Sequence, residues 1–177
     1  MLHDKKGNKY DLLNEYGIGW TSNTNEEFYF DLEDYEKIKN YTWFESDNGY
    51  IVSDSSNKKR VRLHRLLLGM GNLKINERIV DHINHNKKDN RKCNLRKCTS
   101  SQNNMNKVPT NGEYSGVKWR EDRNRWEARI CKEKEITILG LFNTKQEAID
   151  ARMKAEQEIF KEFSYSNSLM LSKNDEI

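Results

Sequence analysis

The clearest alternation of apolar and polar residues lies near the C-terminus. In "NRWEARI" the apolar Trp126, Ala128 and Ile130 alternate with charged residues, which predicts a strand with one buried face. "YSGVKWRE" before it alternates in the same way, and "ITILGLF" after it predicts a third strand. Thr144 and Glu147 then form a T-x-x-E capping box that opens a long helix. We therefore predict three antiparallel strands with one helix packed on one face.

The stripe of that helix begins with small residues, which lets a helix approach a sheet closely; its members are Ala148, Ala151, Ala155 and Ile159. The opposite face of the sheet is predicted to carry basic side chains without apolar cover, namely Lys118, Arg120, Arg125 and Arg129. Such a face is either ordinary solvent surface or a surface that lies in a DNA major groove, where guanidinium groups match guanine edges.

Patterns in the N-terminal part are shorter. "DLEDYEKIKN" predicts a short helix with Asp31 as its N-cap. Asn48-Gly49 between two β-prone runs predicts a hairpin. In "KKRVRLHRLLLGMG" the alternation of Val61 and Leu63 with arginines, followed by an apolar run, predicts a strand that leads into a short helix.

Composition limits the size of the cores, because only 34% of the residues are hydrophobic and 33% are charged. No run approaches the roughly 18 apolar residues of a membrane span, and the N-terminus lacks the apolar segment of a signal peptide, so we expect a cytosolic protein. The 3 cysteines, Cys93, Cys98 and Cys131, do not form a disulfide framework. Cys93 and Cys98 have no second pair to complete a zinc site, which favours small, half-buried residues.

Charge is divided unevenly along the chain. Residues 1–50 hold 5 Lys and no Arg against 11 acids, whereas residues 51–111 hold 14 Lys and Arg against 4 acids. The basic block indicates a polyanionic partner, with a solvated charged face as the alternative. We interpret the acidic first 50 residues as scaffold.

The only proline, Pro109, lies in "NKVPTNGEYSG", where Pro, Thr, Asn and Gly indicate a linker or sharp turn. We therefore divide the chain into residues 1–107, a linker at 108–114, a C-terminal module at 115–165 and a tail at 166–177.

The C-terminal pattern "YSGVKWREDRNRWEARI…LGLFNTKQEAIDA" resembles the DNA-binding domain of plant ethylene-response factors, the AP-two type, which also occurs fused to phage and bacterial homing endonucleases. The resemblance covers about residues 112–163. It implies that the sheet enters the major groove with the helix behind it. Trp126 is then a core residue, and the DNA-facing candidates are Lys118, Trp119, Arg120, Arg125 and Arg129.

The stretch "VDHINHNKKDNRKCNLRKCTSSQNN", residues 80–104, has few apolar residues but many groups suited to hydrolysis of a phosphodiester. That reaction needs a nucleophilic water, a base and a cation. Asp81 and Asn103 offer hard oxygen ligands for Mg²⁺, and His82 can act as a base near neutrality. If residues 79–82 are extended, Asp81 and His82 point to opposite sides. A strand at "NLRKC" and a helix from Thr99, capped by Thr99 or Ser100, would return Asn103 towards Asp81.

This arrangement resembles the HNH nucleases of the homing endonuclease branch and their ββα-metal fold. The matching positions are Asp81-His82, Asn94-Leu95 and Asn103, with further similarity upstream from about residue 31. The resemblance implies that Asp81 and Asn103 bind one divalent metal and that His82 is the general base. Asn94 would orient His82 or brace the loop. An amide ligand favours Mg²⁺ or Mn²⁺ over zinc.

The sequence leaves the roles of two further histidines open. His64 braces the active site, contacts phosphate or is a buried structural residue. His85 occupies a loop position, where an exposed histidine without a role is the simpler interpretation, and we leave it out of the predicted site.

Taken together, we predict an α+β protein: a ββα-metal nuclease core at about 61–107 with a small N-terminal α/β scaffold, followed by the three-stranded sheet on one helix. The predicted function is metal-dependent nicking or cleavage of duplex DNA by a homing endonuclease, encoded by a bacterium or phage and acting in the cytoplasm as a monomer or as a DNA-dependent pair. Phosphate contacts would come from basic residues before and within the core, among them Arg62, Lys87, Lys88, Arg91 and Arg96. The alternatives are a catalytically inactive, sequence-specific DNA-binding regulator and a binder of structured RNA.

Overall fold

A computed structural model of the 177-residue chain describes residues 2–3, 7–54, 59–70, 79–107, 114–165 and 167. Its chain contacts divide it into two compact units, Met1–Thr99 and Ser100–Ile177. The predicted linker lies outside the described residues except for Tyr114, and the predicted tail lies outside them except for Asn167. No helix in the described part of the chain is long and apolar enough to cross a membrane.

The N-terminal unit begins with a four-stranded antiparallel meander. Its strands follow chain order: β1 (Leu2–His3), β2 (Lys9–Asp11), β3 (Gly17–Trp20) and β4 (Glu27–Phe30). Tyr10, Phe28 and Phe30 point to one side and are fully buried, with the Tyr10 ring edge-on to both phenylalanine rings. Aromatic side chains on alternate positions therefore build most of this small core.

Gly17 and Gly19 make room for those rings. Gly19 is paired with Phe28 across the sheet, and a Cβ atom at Gly19 would lie 2.3 Å from the Phe28 ring. Gly19→Ala should therefore lower the free energy of unfolding by about 1–3 kcal/mol through overpacking. Chemical denaturation measures this effect. Leu13→Ala serves as the control because Leu13 is 91% exposed. Equal unfolding midpoints for Gly19→Ala and wild type would contradict the packing described here.

The rest of the N-terminal unit confirms the short elements expected from the sequence. A 3-10 turn over Leu32–Asp34 leads into helix α1. The predicted hairpin joins β5 and β6, with Gly49 at a positive φ of 75°, and β7 leads directly into α2. The bounds are α1 (Tyr35–Ile38), β5 (Phe44–Glu45), β6 (Ile51–Asp54), β7 (Arg60–Arg62), α2 (Leu63–Leu67), β8 (Ile79–His82) and β9 (Leu95–Cys98).

Asp31 requires a correction. It stands at the N-cap position of the 3-10 turn, but its side chain makes no capping hydrogen bond. Its Oδ2 instead accepts a hydrogen bond from the backbone N–H of Lys92 at 2.8 Å. The residue thus connects the scaffold to the 3-10 turn over Lys92–Asn94 that precedes β9, a contact between residues 61 positions apart.

The main core of this unit joins the meander to the later elements. Its buried members are Tyr10, Phe28, Phe30, Ile38, Trp43, Ile51, Leu63 and Leu67. Asn8 is also buried, and its amide donates to the Trp20 and Trp43 carbonyls while its Oδ1 accepts from the Trp43 N–H. Every polar atom of this side chain is paired, as burial requires.

The C-terminal unit confirms the predicted sheet and helix. The antiparallel strand order is β10–β11–β12, and the capping box is present. Thr144 Oγ1 accepts from the Glu147 N–H at 3.2 Å, and Glu147 Oε2 accepts from the Thr144 N–H at 3.2 Å. The bounds are α3 (Ser100–Met105), β10 (Val117–Arg120), β11 (Arg125–Lys132), β12 (Glu135–Phe142) and α4 (Lys145–Phe160).

The buried face of α4 differs in part from the predicted stripe. Ala148 and Ala155 are buried as expected, whereas Ala151 and Ile159 are half-buried. The helix also buries Arg152 and Glu156, a charged pair that apolar periodicity could not indicate. The three cysteines are free, as expected without a disulfide framework, and Cys131 is exposed. The expectation that Cys93 and Cys98 are half-buried was wrong, because Cys93 is exposed and Cys98 is buried.

Candidate active site and nucleic-acid surface

The predicted catalytic dipeptide lies on β8, which pairs with β9 in a two-stranded antiparallel ladder. Residues 79–82 are extended, which meets the condition stated for them, so the side chains of Asp81 and His82 leave opposite faces of the strand. Both are buried, with exposures of 8% and 5%. Each side chain also forms a polar contact: Asp81 with Arg96, and His82 with Asn90.

Asp81 lies directly opposite Arg96 in the ladder. Its Oδ2 accepts from the Arg96 Nε at 2.9 Å and from Nη2 at 2.7 Å. Both side chains are largely buried, at 13% exposure for Arg96 and 10% for Asp81. The carboxylate therefore already stabilises a positive group, and Arg96, predicted as a phosphate contact, is committed to this ion pair.

His82 contacts Asn90 through Nε2, which lies 3.4 Å from the Asn90 Oδ1. The orientation of the Asn90 amide follows from its other end, where Nδ2 donates to the carbonyls of Lys87 and Lys88. An amide oxygen only accepts, so the proton of neutral His82 is placed on Nε2 and the lone pair on Nδ1. This tautomer is the one that a base acting through Nδ1 requires.

The ring of His82 packs against a second histidine and a tyrosine. The centroid of His64 lies 5.0 Å from that of His82 at an angle of 76°, and Tyr50 lies 5.2 Å from His64 and 6.1 Å from His82. Burial lowers the pKa of His82, partly opposed by its hydrogen bond to Asn90. The pKa of His64 is lowered to about 3, mainly by burial and secondly by the neighbouring His82. Both rings are consequently neutral at physiological pH.

Asn94 braces the loop between β8 and β9. Its Oδ1 accepts from the Asn84 N–H at 2.9 Å, and its Nδ2 donates to the Asp89 carbonyl at 2.8 Å. Its backbone carbonyl also accepts from the Ile83 N–H. Of the two roles proposed for Asn94, these contacts favour the bracing role. His85, left out of the predicted site, is half-buried at a positive φ of 65°.

Asn103, the other predicted metal ligand, lies on α3 within the C-terminal unit and is half-buried. The order β8, β9, α3 is the order predicted along the chain, while the approach of Asn103 to Asp81 stays a prediction. Within the described ranges, no cluster of three or more His, Cys, Asp and Glu side chains is arranged to hold a metal.

Acidic side chains of the N-terminal unit pair with the basic loop that follows β8. Lys88 lies 3.3 Å from Glu26 and 3.3 Å from Glu45. Lys92 forms ion pairs with Glu33 and Asp34. The charge division along the sequence pointed to two regions of opposite sign, but it did not indicate that they contact each other.

The other phosphate-contact candidates also have partners within the unit. Arg91 forms two hydrogen bonds of 2.8 Å with Asp89. The Lys87 Nζ donates to the Asn48 carbonyl at 2.8 Å and lies 4.7 Å from the centre of the Tyr50 ring, while Arg62 stacks 5.4 Å from the same ring. A phosphate would have to compete with these contacts.

The basic face of the C-terminal sheet also carries an acidic side chain, which the alternation pattern did not assign a partner. Cross-strand pairing places Lys118 beside Glu127 and Arg120 beside Arg125 on this face. Glu127 is only 4% exposed and forms ion pairs with Arg120 at 2.6 Å and Lys118 at 3.6 Å. Two of the four basic candidates are thus partly neutralised.

Arg125 and Arg129 differ from them. Both are exposed, and within the described residues neither makes an ion pair or a side-chain hydrogen bond. Trp119 lies on the other side of the sheet, where the register pairs it with Trp126 and the ring centroids are 5.5 Å apart. Trp119 remains 41% exposed, but it is separated from the basic side chains by the sheet.

Comparison with known proteins finds one family match and one relative. Residues 61–105 match the family model described as HNH endonuclease. This segment contains β7, α2, β8, β9 and α3, and therefore Asp81, His82, Asn94 and Asn103. A divalent metal ion is the usual cofactor of HNH nucleases. The match defines a nuclease class for this part of the chain.

An uncharacterized HNH endonuclease of Acanthamoeba polyphaga mimivirus is 29% identical over 141 residues, which cover 78% of this chain and 73% of the viral protein. No solved structure matches. The chain is accordingly a nuclease, a hydrolytic enzyme, and the matched family model implies DNA as its substrate.

Proposed function

We propose that the chain is a metal-dependent endonuclease of the homing type, which nicks or cuts duplex DNA with His82 as general base. Asp81 and Asn103 would bind one Mg²⁺ or Mn²⁺. The observation that carries the proposal is the buried Asp81-His82 pair on β8, with opposite side-chain directions and a neutral His82 oriented by Asn90.

The chemistry of Asp81 fits a divalent cation. Its Oδ2 accepts two hydrogen bonds from the Arg96 guanidinium, so this carboxylate already contacts one positively charged group. Carboxylate and amide oxygens are hard ligands, and Mg²⁺ commonly uses one or two protein ligands together with water and phosphate oxygens. When bound, the metal would stabilise the negative charge that develops on the phosphate during hydrolysis.

His82 would take the proton of the attacking water at Nδ1. Asn90 keeps the other ring nitrogen protonated, and Asn94 holds the loop that carries Asn90. Burial keeps the imidazole neutral and able to accept that proton. Each of these residues acts within the N-terminal unit.

The C-terminal sheet would bind the duplex in the manner of an AP-two-type domain, with Arg125 and Arg129 as the principal contacts and Lys118 and Arg120 beside them. Free guanidinium groups form bidentate hydrogen bonds with guanine or bind phosphate. The arginines and lysines around β8 and β9 would add phosphate contacts by exchanging their present partners. Trp119 would serve the packing of this unit rather than base contact.

Incubation of supercoiled plasmid with the full chain tests the enzymatic proposal. Relaxed or linear plasmid should accumulate with Mg²⁺ or Mn²⁺ and not with EDTA. The plasmid should carry the insertion site of the gene, because homing enzymes act at such sites. Binding without metal-dependent cleavage on this substrate would favour the inactive DNA-binding regulator, and preferential retention by RNA hairpins would favour an RNA-binding function.

The salt dependence of DNA binding should distinguish free from paired arginines. Neutralising one phosphate contact changes the slope of log affinity against log salt by about 0.9. Arg125→Gln and Arg129→Gln should each reduce the slope by about that amount in the full chain, measured by fluorescence anisotropy in EDTA. Arg91→Gln is the comparison variant and should change the slope less, because the Asp89 carboxylate competes with phosphate for Arg91. A larger slope change for Arg91→Gln than for the other two variants would contradict the proposed surface.

A further inference from the structure

Three aliphatic side chains are exposed on β12. Ile136 is 59% exposed, Ile138 63% and Leu141 39%. The register pairs Ile138 with Arg129, Ile136 with Cys131 and Leu141 with Glu127, so all three lie on the same face as the free guanidinium groups. An irregularity in the pairing after Ala128 places Leu139 on the helix side, where it packs in the core.

The face therefore combines apolar groups with unpaired cations at direct cross-strand positions. Ile138 and Arg129 are such a pair, and opposing side chains in an antiparallel ladder have Cβ atoms about 4.5–5.5 Å apart. An apolar protein surface would leave Arg125 and Arg129 without a counter-charge. A polyanion that also presents small apolar groups satisfies both features.

We propose that β12 reads thymine through the C5-methyl groups that thymine presents in the DNA major groove, with Arg129 and Arg125 as the polar contacts beside it. The inference rests on the proposed binding of duplex DNA by this sheet. The thymine methyl is the one apolar group on a base-pair edge in that groove, and apolar side chains contact it in protein–DNA complexes.

Spacing supports this assignment. Ile136 and Ile138 are two residues apart on one strand, which corresponds to about 6.6–6.8 Å. Bases on one DNA strand are about 3.4 Å apart along the helix axis, so two base steps span the same distance. The major groove also admits a two-stranded ribbon, and β11 and β12 have 8 residues each. We therefore expect thymines two positions apart on one strand of the preferred site.

The test uses the full chain in EDTA, so that binding is measured without cleavage. Preferred duplexes are selected from a random library, and each thymine of the selected site is then replaced by deoxyuridine, which removes only the methyl group. Wild type should bind the uracil duplex about fourfold more weakly for each contacted methyl, the factor expected for one buried methyl-sized group.

Ile138→Ser removes the methyl groups of this side chain and should lose the discrimination between thymine and uracil at one position. Thr137→Ser is the matched control, because Thr137 is exposed on the other side of the same strand. Circular dichroism should show the same folded signal for both variants.

Equal affinity of wild type for the thymine and uracil duplexes would overturn the thymine assignment and leave DNA binding intact. A wild-type dimer in sedimentation that Ile138→Ser dissociates would also overturn it, since the aliphatic row would then serve self-association. Failure of wild type to bind any duplex would instead overturn the proposed function of the sheet.

Discussion

Replacing His82 with alanine is expected to slow metal-dependent plasmid cleavage by about 10²–10⁴-fold, the usual contribution of a positioned general base. DNA affinity should change little, because His82 is buried and does not belong to the basic surfaces. The reason for the loss is specific: the neutral ring, oriented by Asn90, supplies the lone pair that accepts the water proton. Gel analysis of cleavage and anisotropy of binding separate the two effects.

His85→Ala is the matched control for this experiment. His85 is half-buried in the same loop, and burial also lowers its pKa, but it has no assigned role in the reaction. Its replacement should leave the cleavage rate within about threefold. Added imidazole should partly restore cleavage by His82→Ala if the lost group is a base. A His82→Ala enzyme as fast as wild type would contradict the proposed mechanism.

Replacing Glu156 with alanine should lower the free energy of unfolding by about 3–5 kcal/mol, the usual cost of leaving a buried charge without its partner. The Arg152 Nη1 lies 3.1 Å from the Glu156 Oε1, and the two side chains are only 7% and 4% exposed. Tyr114 also donates its hydroxyl to Glu156 Oε2 at 2.9 Å. The variant therefore removes a partner from the Arg152 guanidinium and from the Tyr114 hydroxyl. Denaturation of the full chain, followed by tryptophan fluorescence, measures the loss of stability.

Glu158→Ala, on the exposed side of the same helix, should change stability by less than about 0.5 kcal/mol. The double variant Arg152→Met with Glu156→Leu should recover much of the loss, since an apolar pair of similar size needs no counter-charge. If Glu156→Ala were as stable as wild type, the pair would not contribute to the core of this unit.

Features set by local sequence were predictable. Alternation over Trp126, Ala128 and Ile130 identified β11, and Thr144 with Glu147 identified the start of α4, because both signals act within a few residues. The resemblance to HNH nucleases indicated the segment that the family model matches.

Contacts between distant residues were not predictable. Asp31 meets Lys92 across 61 positions, and Lys88 meets Glu26 across 62. The burial of Glu127 beneath two basic side chains depends on the pairing of β10 with β11, which alternation alone cannot specify. The exposed isoleucines of β12 were missed because an apolar strand residue is ordinarily assigned to a core.

The pairing of the acidic N-terminal segment with the basic loop decides which residues a chimeric protein must include to keep the nuclease segment folded. The HNH match covers residues 61–105, yet Glu26, Asp31 and Glu45, which hold the loop inside that segment, all precede it. Leu63 and Leu67 likewise share their core with Tyr10 and Phe28. The segment that matches the family model is therefore smaller than the compact unit that contains most of it. A chimera that grafts this nuclease segment onto a DNA-binding domain should carry the meander along with the motif.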